Sequence, residues 1–519
     1  MNSRFCRQAG GENAAMHISR RTLLAGLAAA PLVGLAGCAP QAQRDGGGKD
    51  GMPLNLLFIM VDDLNLAIGC YGHPLAVTPN LDRLAARGTR FARAFCPYPL
   101  CGPSRAAVLT GVRPETLGMS DNEVCWRAKA PGVATLPELA RAGGYTSVRF
   151  GKVLHHGLPP GAVHDRTAEG AELPHTFIDP PSWDSEWGGA ARMHEMLVEG
   201  ATTVIDGQPH GGASLHTVRA TGGGPLPDAE VADRAVAWLS EPERRNRRFV
   251  CSVGFHKPHV PFIAPESWWA RYDRVPDATL DACMGPTAVL PAVLPAGVLN
   301  REARLHRGAT PEQRRHLYRG YLACVSYMDE QLGRVLDALD AAGLADSTLV
   351  AFVGDHGYHL GEQCQWDKMM LLDPSLRIPL LLAGPGIARG VVAQGQVEST
   401  DVFPTLAGRL GLPVPQACAG RDLGPWLADP AATPDRPAFA WLRAGVREGW
   451  TVRTATHRYG VMRKGAAAAK PYLFDLRTDP CESRDAVADA DQRATVAELD
   501  RLLRDHFTAA APVAAVQPT

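Results

Sequence analysis

The sequence has no excess of charge of either sign. Its 519 residues include 53 Lys and Arg against 54 Asp and Glu, which gives a formal net charge of −1. Nucleic acids and anionic membrane surfaces are bound through a surplus of basic residues. The balanced charge therefore argues against either of them as the main partner, and we expect no binding of nucleic acid.

None of the 12 cysteines forms a C-x-x-C pair. The absence of this spacing disfavours a structural zinc site or a redox motif. Cys6 and Cys38 belong to the N-terminal segment and Cys101 lies in a motif described below. The remaining cysteines are scattered and odd in number, so at least one thiol should be unpaired, and their pairing cannot be deduced from the sequence.

The sequence also lacks an apolar run long enough to cross a bilayer. The longest candidate, at 22–37, is too short to span about 30 Å of hydrocarbon. Hydrophobic residues make up 45% of the chain and charged residues 21%, an ordinary globular mixture. This composition excludes a disordered, a fibrous and a multi-span membrane protein.

The N-terminal segment predicts export. Arg20 and Arg21 directly precede the apolar run at 22–37, an arrangement typical of a twin-arginine export signal. A membrane-spanning anchor is the alternative, and the shortness of the run argues against it. Met16 could be the true start, which would give the signal a more usual length.

The end of the same run predicts a lipid anchor. It closes on Leu-Ala-Gly-Cys, with the cysteine at Cys38, which resembles the bacterial lipobox whose cysteine becomes the acylated first residue of the mature protein. A chance cysteine is the alternative. Several acyl chains on Cys38 would anchor the protein stably to a membrane. We expect a signal at 1–37, a lipidated tether at 38–52 and an exported bacterial lipoprotein of the periplasm or cell envelope.

The pattern after the tether predicts an α/β fold. Nearly continuous apolar runs at 54–61 and 348–353 are typical of strands buried on both faces, and a long helix is expected at 311–342. Alternation of strands and helices favours a mainly parallel sheet with helices on both faces. Further helices are predicted at 79–88, 104–109, 136–142 and 227–239, and further strands at 145–150, 249–253 and 378–382.

The C-terminal part predicts a smaller subdomain. Short antiparallel strands are expected at 450–454, 458–463 and 472–476, followed by an amphipathic helix at 492–507. We predict a large, mixed, mainly parallel sheet flanked by helices, together with a smaller antiparallel sheet plus helix. The expected boundaries are 53–430 for the catalytic domain and 431–519 for the C-terminal subdomain.

Acidic residues follow two of the buried strands directly. Asp62 and Asp63 end the first, and Asp355 and His356 end the strand at 348–353. The carboxyl ends of parallel strands share one edge of a sheet, so these side chains can face one another. Three carboxylates and one imidazole suggest a hard divalent cation, Ca²⁺ or Mg²⁺. The alternative is that the acids cap the helices that follow.

A cysteine motif supplies a candidate nucleophile. In Cys101-Gly-Pro-Ser-Arg105 the cysteine stands just before the helix predicted at 104–109 and close to an arginine, a setting that favours an anion. A soft thiolate is nevertheless poorly matched to a pocket of hard oxygen ligands. An oxygen nucleophile would suit that pocket better.

The C-x-P-S-R motif at Cys101 to Arg105, with Leu-Thr-Gly downstream, resembles the signature of the sulfatase family. The resemblance covers nearly the whole mature chain and is strongest to the iduronate-2-sulfatase branch. The matching segments occur in the order of that family: 61–64, 69–72, 78–82, 151–155, 254–259, 354–357, Lys368 and 472–480.

The resemblance implies that Cys101 is oxidised to formylglycine by a formylglycine-generating enzyme, and that the hydrated aldehyde attacks sulfur. It also implies a cation, and we predict Ca²⁺ rather than Mg²⁺ because the candidate ligands are hard and mostly oxygen. The implied metal ligands are Asp62, Asp63, Asp355, His356 and an oxygen of residue 101.

The resemblance also assigns catalytic roles. Arg105 and Lys152 would stabilise the nucleophile, while His155, His256 and Lys368 would contact the sulfate, with His256 protonating the leaving oxygen. An ordinary loop ion pair is the alternative for Lys368, because an aspartate precedes it.

The expected activity is sulfate removal from a sulfated saccharide, as in glycosaminoglycan degradation. A phosphonate or phosphate monoester hydrolase would use the same motif and metal, and a non-catalytic glycan-binding lipoprotein is a further alternative. The segment 156–224 matches the family poorly and has no clear periodicity, so the sequence does not define the substrate.

Overall fold

The computed structural model describes residues 54–156, 179–187, 202–205, 215–222, 225–284, 294, 297–299, 309–432 and 435–509. The predicted export signal, Cys38 and the tether lie outside the described residues, as does most of the segment 156–224.

The strands and helices are numbered in chain order among these residues. The strands are β1 (Asn55–Val61), β2 (Gly88–Phe95), β3 (Thr146–Gly151), β4 (Ser185–Trp187), β5 (Thr202–Ile205), β6 (Leu215–Ala220), β7 (Phe249–Phe255), β8 (Phe262–Pro265), β9 (Thr348–Gly354), β10 (His359–Leu360), β11 (Trp366–Asp367), β12 (Arg377–Ile378), β13 (Leu380–Ala383), β14 (Val391–Glu398), β15 (Ala438–Ala444), β16 (Arg447–Arg453), β17 (His457–Lys464) and β18 (Lys470–Asp475). The α-helices are α1 (Pro79–Arg87), α2 (Cys101–Thr110), α3 (Pro114–Leu117), α4 (Trp126–Lys129), α5 (Leu136–Ala142), α6 (Pro227–Leu239), α7 (Glu266–Asp273), α8 (Asp277–Cys283), α9 (Pro311–Ala341), α10 (Asp373–Leu376), α11 (Val402–Arg409), α12 (Gly424–Ala428) and α13 (Arg493–Ala509).

A large mixed sheet forms the centre of the fold. Its strands run in the order β2-β13-β9-β1-β7-β3-β4, and β12 and β14 also pair with β2. The neighbours β9, β1, β7, β3 and β4 are parallel, whereas β13 is antiparallel to both β9 and β2. This sheet confirms the predicted fold class.

Strand β1 shows why a continuous apolar run folds as a central strand. Its side chains alternate between two hydrophobic cores, because successive residues of a strand point to opposite faces. Leu57, Ile59 and Val61 belong to one core, which also contains residues of α6 and α9. Leu56 and Phe58 belong to the other core, on the opposite face. Both faces of the strand are therefore buried, as the sequence predicts.

The C-terminal sheet is an antiparallel meander in the order β15-β16-β17-β18. Val452, Tyr459 and Leu473 of this sheet pack against Leu499 and Leu503 of α13. The predicted antiparallel sheet plus helix is confirmed, while the domain boundaries stay a prediction.

Two differences from the sequence analysis concern α2 and β2. Helix α2 begins at Cys101, three residues before the predicted start. Pro103 lies in its first turn, where the missing N–H costs nothing. Strand β2 was not predicted, because its polar residues interrupt the apolar pattern.

Within the described residues, no helix is both long and apolar enough to cross a membrane.

Candidate active site

The candidate site lies where four neighbouring strands, β3, β7, β1 and β9, end. Main-chain hydrogen bonds extend each pairing one residue beyond the strand: Asp62 N donates to Phe255 O at 3.1 Å, Asp355 N to Val61 O at 3.1 Å and Lys152 N to Gly254 O at 3.0 Å. The residues that follow the strands are thereby fixed side by side, as expected for the carboxyl edge of a parallel sheet.

Glycine permits the tight approach of the ends of β3 and β7. A Cβ on Gly254 would lie 2.1 Å from Lys152 O, and one on Gly151 would lie 2.1 Å from Gly254 O. Gly151 also has φ +78°, which favours glycine. Steric crowding therefore explains why Gly151 and Gly254 occupy these two positions of the matched sequence motifs.

Cys101 begins α2 and faces the strand ends. Its Sγ lies 3.2 Å from Asp62 Oδ1, 3.4 Å from His356 Nε2 and 3.3 Å from Lys368 Nζ. Burial, and secondarily the charge of Asp62, raises the pKa of the Cys101 thiol. The site thus brings cationic groups to residue 101 without favouring a free thiolate there.

Asp62 and Asp63 are completely buried, and lysine side chains balance their negative charges. Lys152 Nζ donates to Asp62, and Lys368 Nζ donates to Asp63 Oδ1 at 2.6 Å. Burial alone would raise the pKa of both carboxyls, but the neighbouring positive charges outweigh it. The pKa of Asp62 is held well below its usual range, chiefly by Lys152, and that of Asp63 is also lowered.

Asp355 orients the main chain and Arg105. Its Oδ1 accepts from Asp63 N at 3.1 Å and from His356 N at 2.9 Å. Arg105 Nε donates to Asp355 Oδ2 at 2.8 Å, and another guanidinium nitrogen lies 3.2 Å from Asp62 Oδ1. Arg105 thereby joins the two strand ends through their carboxylates.

Four residues bring potential metal ligands together. Asp62, Asp63, Cys101 and His356 each offer one atom, and these atoms lie within 4.8 Å of one another. Asp355 lies beside this group, with its Oδ2 3.7 Å from His356 Nε2. The buried Oδ2 of Asp63 accepts no hydrogen bond, which leaves a carboxylate oxygen available as a ligand for a cation. The donor set therefore fits a hard divalent ion.

The backbone of Asp63 adopts the left-handed conformation, with φ 60°. This conformation is uncommon for residues other than glycine, although aspartate tolerates it. Tyr321 of α9 donates its hydroxyl to Asp63 O at 2.8 Å and accepts from Asn65 N at 2.9 Å. Tyr321 thus supports the turn that directs Asp63 into the site.

Lys368 directly follows the short hairpin β10–β11. The residues on either side of it, Asp367 and Met369, have φ 93° and φ 70°. Its ammonium group reaches both Asp63 and the thiol of Cys101, and the carboxylates raise the pKa of Lys368 against the opposing effect of burial. Lys368 is therefore part of the site, whereas the sequence left an ordinary ion pair with Asp367 open.

His155 and His256 follow β3 and β7 and are both buried. A Cβ on Gly102 would lie 2.7 Å from the carbonyl oxygen of His155, which places His155 beside the start of α2. His256 Nδ1 lies 3.6 Å from Asp228 Oδ1. Burial lowers the pKa of His256, an effect that Asp228 opposes.

Sequence reasoning missed two groups near the predicted metal ligands and Cys101. His259 Nε2 lies 3.8 Å from Asp63 Oδ2, and burial lowers the pKa of His259 to about 3. His259 stands in the segment 254–259 that resembles the family, and this was the available signal. Asn122 Oδ1 accepts from Gly102 N at 2.8 Å, and no sequence pattern marked it.

Two protein-family models match the sequence of this chain. The family model described as "Sulfatase" matches residues 54–412, and the model "N-sulphoglucosamine sulphohydrolase, C-terminal" matches residues 361–508.

The chain belongs to the sulfatase family.

Named relatives place the chain near the iduronate-2-sulfatase branch. It is 32% identical to the iduronate 2-sulfatases of Mus musculus and Homo sapiens over 403 residues, covering 70% of this chain and 70% of each relative. It is also 32% identical over 377 residues to a sulfatase of Formosa agariphila, with 69% of each chain covered. The predicted assignment as a sulfuric ester hydrolase is confirmed.

Solved structures share the fold of this sulfatase. A phosphonate monoester hydrolase from Silicibacter pomeroyi aligns with a TM-score of 0.67 at 23% identity, covering 89% of this chain and 96% of that chain. A protein in complex with its substrate D-glucosamine-2-N,6-O-disulfate aligns with a TM-score of 0.66 at 21% identity, covering 88% and 98%.

Proposed function

We propose that this sulfatase removes sulfate from a sulfated saccharide, with formylglycine at position 101 and Ca²⁺ held by Asp62, Asp63, Asp355 and His356. The observation that supports it most is the position of Cys101 Sγ, 3.2 to 3.4 Å from Asp62, His356 and Lys368. An oxygen placed there would lie among hard ligands and cationic donors, which suits an oxyanion better than sulfur.

The cation would polarise the sulfate, and the hydrated aldehyde would supply an oxygen nucleophile. The chain's own residues would do the remaining work. Arg105 and Lys152 would keep Asp62 ionised and oriented, because both contact its carboxylate. Lys368 and His155 would bind the sulfate, and His256 would give a proton to the leaving oxygen.

The proposal of a sulfated saccharide as substrate is based on the names of similar proteins. Two are named iduronate 2-sulfatase, and one structural neighbour was solved with a disulfated glucosamine. Another relative, 30% identical and covering 82% of this chain, is the choline-sulfatase of Rhizobium meliloti, so a small sulfate ester is the competing substrate. Phosphonate hydrolases share the fold, which makes phosphonate and phosphate esters the other class to compare.

Two measurements test the proposal. Peptide mass spectrometry across residue 101 should show formylglycine in active protein, and active protein with an ordinary thiol there would overturn the mechanism. Sulfate release should be measured on sulfated mono- and disaccharides, choline sulfate and matched phosphate and phosphonate esters. Faster turnover of the phosphorus esters, or of choline sulfate, would overturn the proposed substrate class.

We also propose export and anchoring through Cys38, on the basis of the N-terminal sequence alone. Cys38→Ala should release the protein from the membrane fraction or leave it unprocessed, because the acyl chains need that thiol. Replacing Arg20 and Arg21 together by lysine should block export. Unchanged membrane fractionation of the Cys38→Ala variant would show that the anchor lies elsewhere.

A further inference from the structure

Asp228 lies in the first turn of α6 and is buried. Its two carboxylate oxygens accept from successive main-chain N–H groups, Oδ1 from His256 at 2.9 Å and Oδ2 from Lys257 at 2.9 Å. This fixes the backbone at the point where β7 ends and the chain enters the site. A buried carboxylate needs such donors, so the contacts explain why Asp228 is tolerated there.

The same carboxylate faces the imidazole of His256. Asp228 Oδ1 lies 3.6 Å from Nδ1, and both side chains are almost entirely buried. A carboxylate beside one ring nitrogen favours a proton on that nitrogen. It also fixes the orientation of the ring, and therefore the direction in which the other nitrogen points. Asp62 and Lys152 also act electrostatically on His256, which places the ring within the field of the site.

We propose that Asp228 is a positioning residue that stabilises the proton on Nδ1 of doubly protonated His256, whose Nε2–H then donates to the leaving oxygen. This inference rests on the proposed function. In the step, an oxyanion of the hydrated aldehyde at position 101 would form a bond to sulfur as the bond between sulfur and the leaving oxygen breaks, and the electron pair of the broken bond stays on the leaving oxygen. The proton of Nε2 moves to the same oxygen, and the imidazolium becomes neutral imidazole. Asp228 touches neither sulfur nor the alcohol.

The chain contains a matched control for a purely structural role. Asp329 of α9 is also buried and also accepts from two successive N–H groups, Asn80 at 3.0 Å and Leu81 at 2.7 Å. This second carboxylate fixes the start of α1 and has no imidazole in its hydrogen bonds. Replacing either aspartate by asparagine should disturb a similar pair of backbone hydrogen bonds. Asp329 also accepts from the Asn80 side chain at 3.1 Å, but only the Asp228 variant should act through His256.

The experiment compares Asp228→Asn and Asp329→Asn across a series of sulfate esters with leaving groups of increasing pKa, from 4-nitrophenyl to phenyl to alkyl. A poor leaving group needs protonation and a good one does not. For Asp228→Asn we expect kcat/KM to fall about 100-fold on the alkyl ester and less than about fivefold on the 4-nitrophenyl ester. Asp329→Asn should lower the melting temperature without changing the dependence on leaving group.

A double variant separates positioning from a general structural effect. If Asp228 acts through His256, adding Asp228→Asn to His256→Gln should slow the alkyl ester no further. Equal losses on all esters, or additive losses in the double variant, would overturn the inference while the proposed function stands.

If the wild type releases sulfate neither from these esters nor from the sulfated mono- and disaccharides, the proposed function fails and the inference fails with it. If Asp228→Asn does not fold, Asp228→Glu is measured by the same criteria, because it keeps the charge but displaces the carboxylate.

Discussion

Two buried clusters of ionised side chains differ in how their carboxylates are used. The strand-end cluster consists of Asp62, Asp63, Asp355, Arg105, Lys152 and Lys368. The C-terminal cluster consists of Asp373, Arg453, Arg458 and Glu482, and it joins the meander and the loop after β18 to α10.

Every carboxylate oxygen of the C-terminal cluster has a donor. Arg458 and Arg453 donate to the two oxygens of Asp373, and Arg458 and the main-chain N–H of Asp373 donate to those of Glu482. In the strand-end cluster, Oδ2 of Asp63 has no hydrogen-bond donor.

The difference shows that buried ion pairs do not by themselves mark an active site. In the C-terminal cluster every carboxylate oxygen already accepts a hydrogen bond, so no carboxylate oxygen is left for a cation, although Arg453 Nε and Arg458 Nη1 have no acceptor. The strand-end cluster is open to a cation and lies against a candidate nucleophile. The C-terminal cluster should therefore serve stability, and the strand-end cluster catalysis.

The largest expected effect comes from removing the nucleophile position. Cys101→Ala should reduce sulfate release by at least about 1,000-fold, because no other group could take its place. The melting temperature should hardly change, since alanine leaves the carboxylates and cations in contact. Cys251→Ala, which removes a buried thiol in the middle of β7, is the matched control and should retain activity. Retained turnover in Cys101→Ala would show that the strand-end cluster is not the catalytic one.

The C-terminal cluster should respond in the opposite way. Arg458→Met should lower the free energy of unfolding by about 3–5 kcal/mol, because it leaves buried carboxylates without their partner. The folded variant should keep kcat within about threefold, measured well below its melting temperature. Arg463→Met, which removes an ion pair with Glu448 from a half-exposed arginine, should cost less than about 1 kcal/mol. A larger loss of kcat than of stability in Arg458→Met would contradict the separation of the two clusters.

The sequence was sufficient to predict the strand-end carboxylates. Asp62, Asp63, Asp355 and His356 directly follow buried strands, and parallel strands necessarily bring their carboxyl ends to one edge. The cysteine motif was also visible, because its residues are local in sequence.

The supporting residues were not predictable in the same way. Asp228 reads from sequence as an ordinary acidic residue in the first turn of a helix, and its contact with His256 depends on how α6 packs against β7. Tyr321 fits the apolar stripe of α9, and only the folded chain places its hydroxyl on the turn after β1. Such contacts join residues far apart in sequence, so no local pattern records them.

Removal of the metal should affect the strand-end cluster and not the C-terminal cluster. A cation that binds only the native state stabilises it by about 2.7 kcal/mol at one hundred times its dissociation constant. Chelation should therefore lower the melting temperature of the wild type, and added Ca²⁺ should restore it. Asp63→Asn should abolish this shift, whereas Asp373→Asn should be less stable overall but keep it. A Ca²⁺-dependent shift that persists in Asp63→Asn would mean that the ion binds outside the strand-end cluster.

The smallest effect concerns a buried carboxylate that lacks any cation partner in its hydrogen bonds. Burial raises the pKa of Asp329 from 3.8 to about 6, although the N–H donors of Asn80 and Leu81 oppose the shift. Because the folded pKa is the higher one, the folded protein binds this proton more tightly than the unfolded chain. The stabilisation is complete below pH 3.8 and is lost as the pH rises through about 6. Relative to Asp329→Asn, the wild type should therefore gain about 1 kcal/mol as the pH falls from about 7.5 to about 5, measured by urea unfolding of both proteins. A difference that does not change with pH would show that Asp329 stays ionised throughout, and that its backbone donors compensate burial as fully as the arginines do for Asp373.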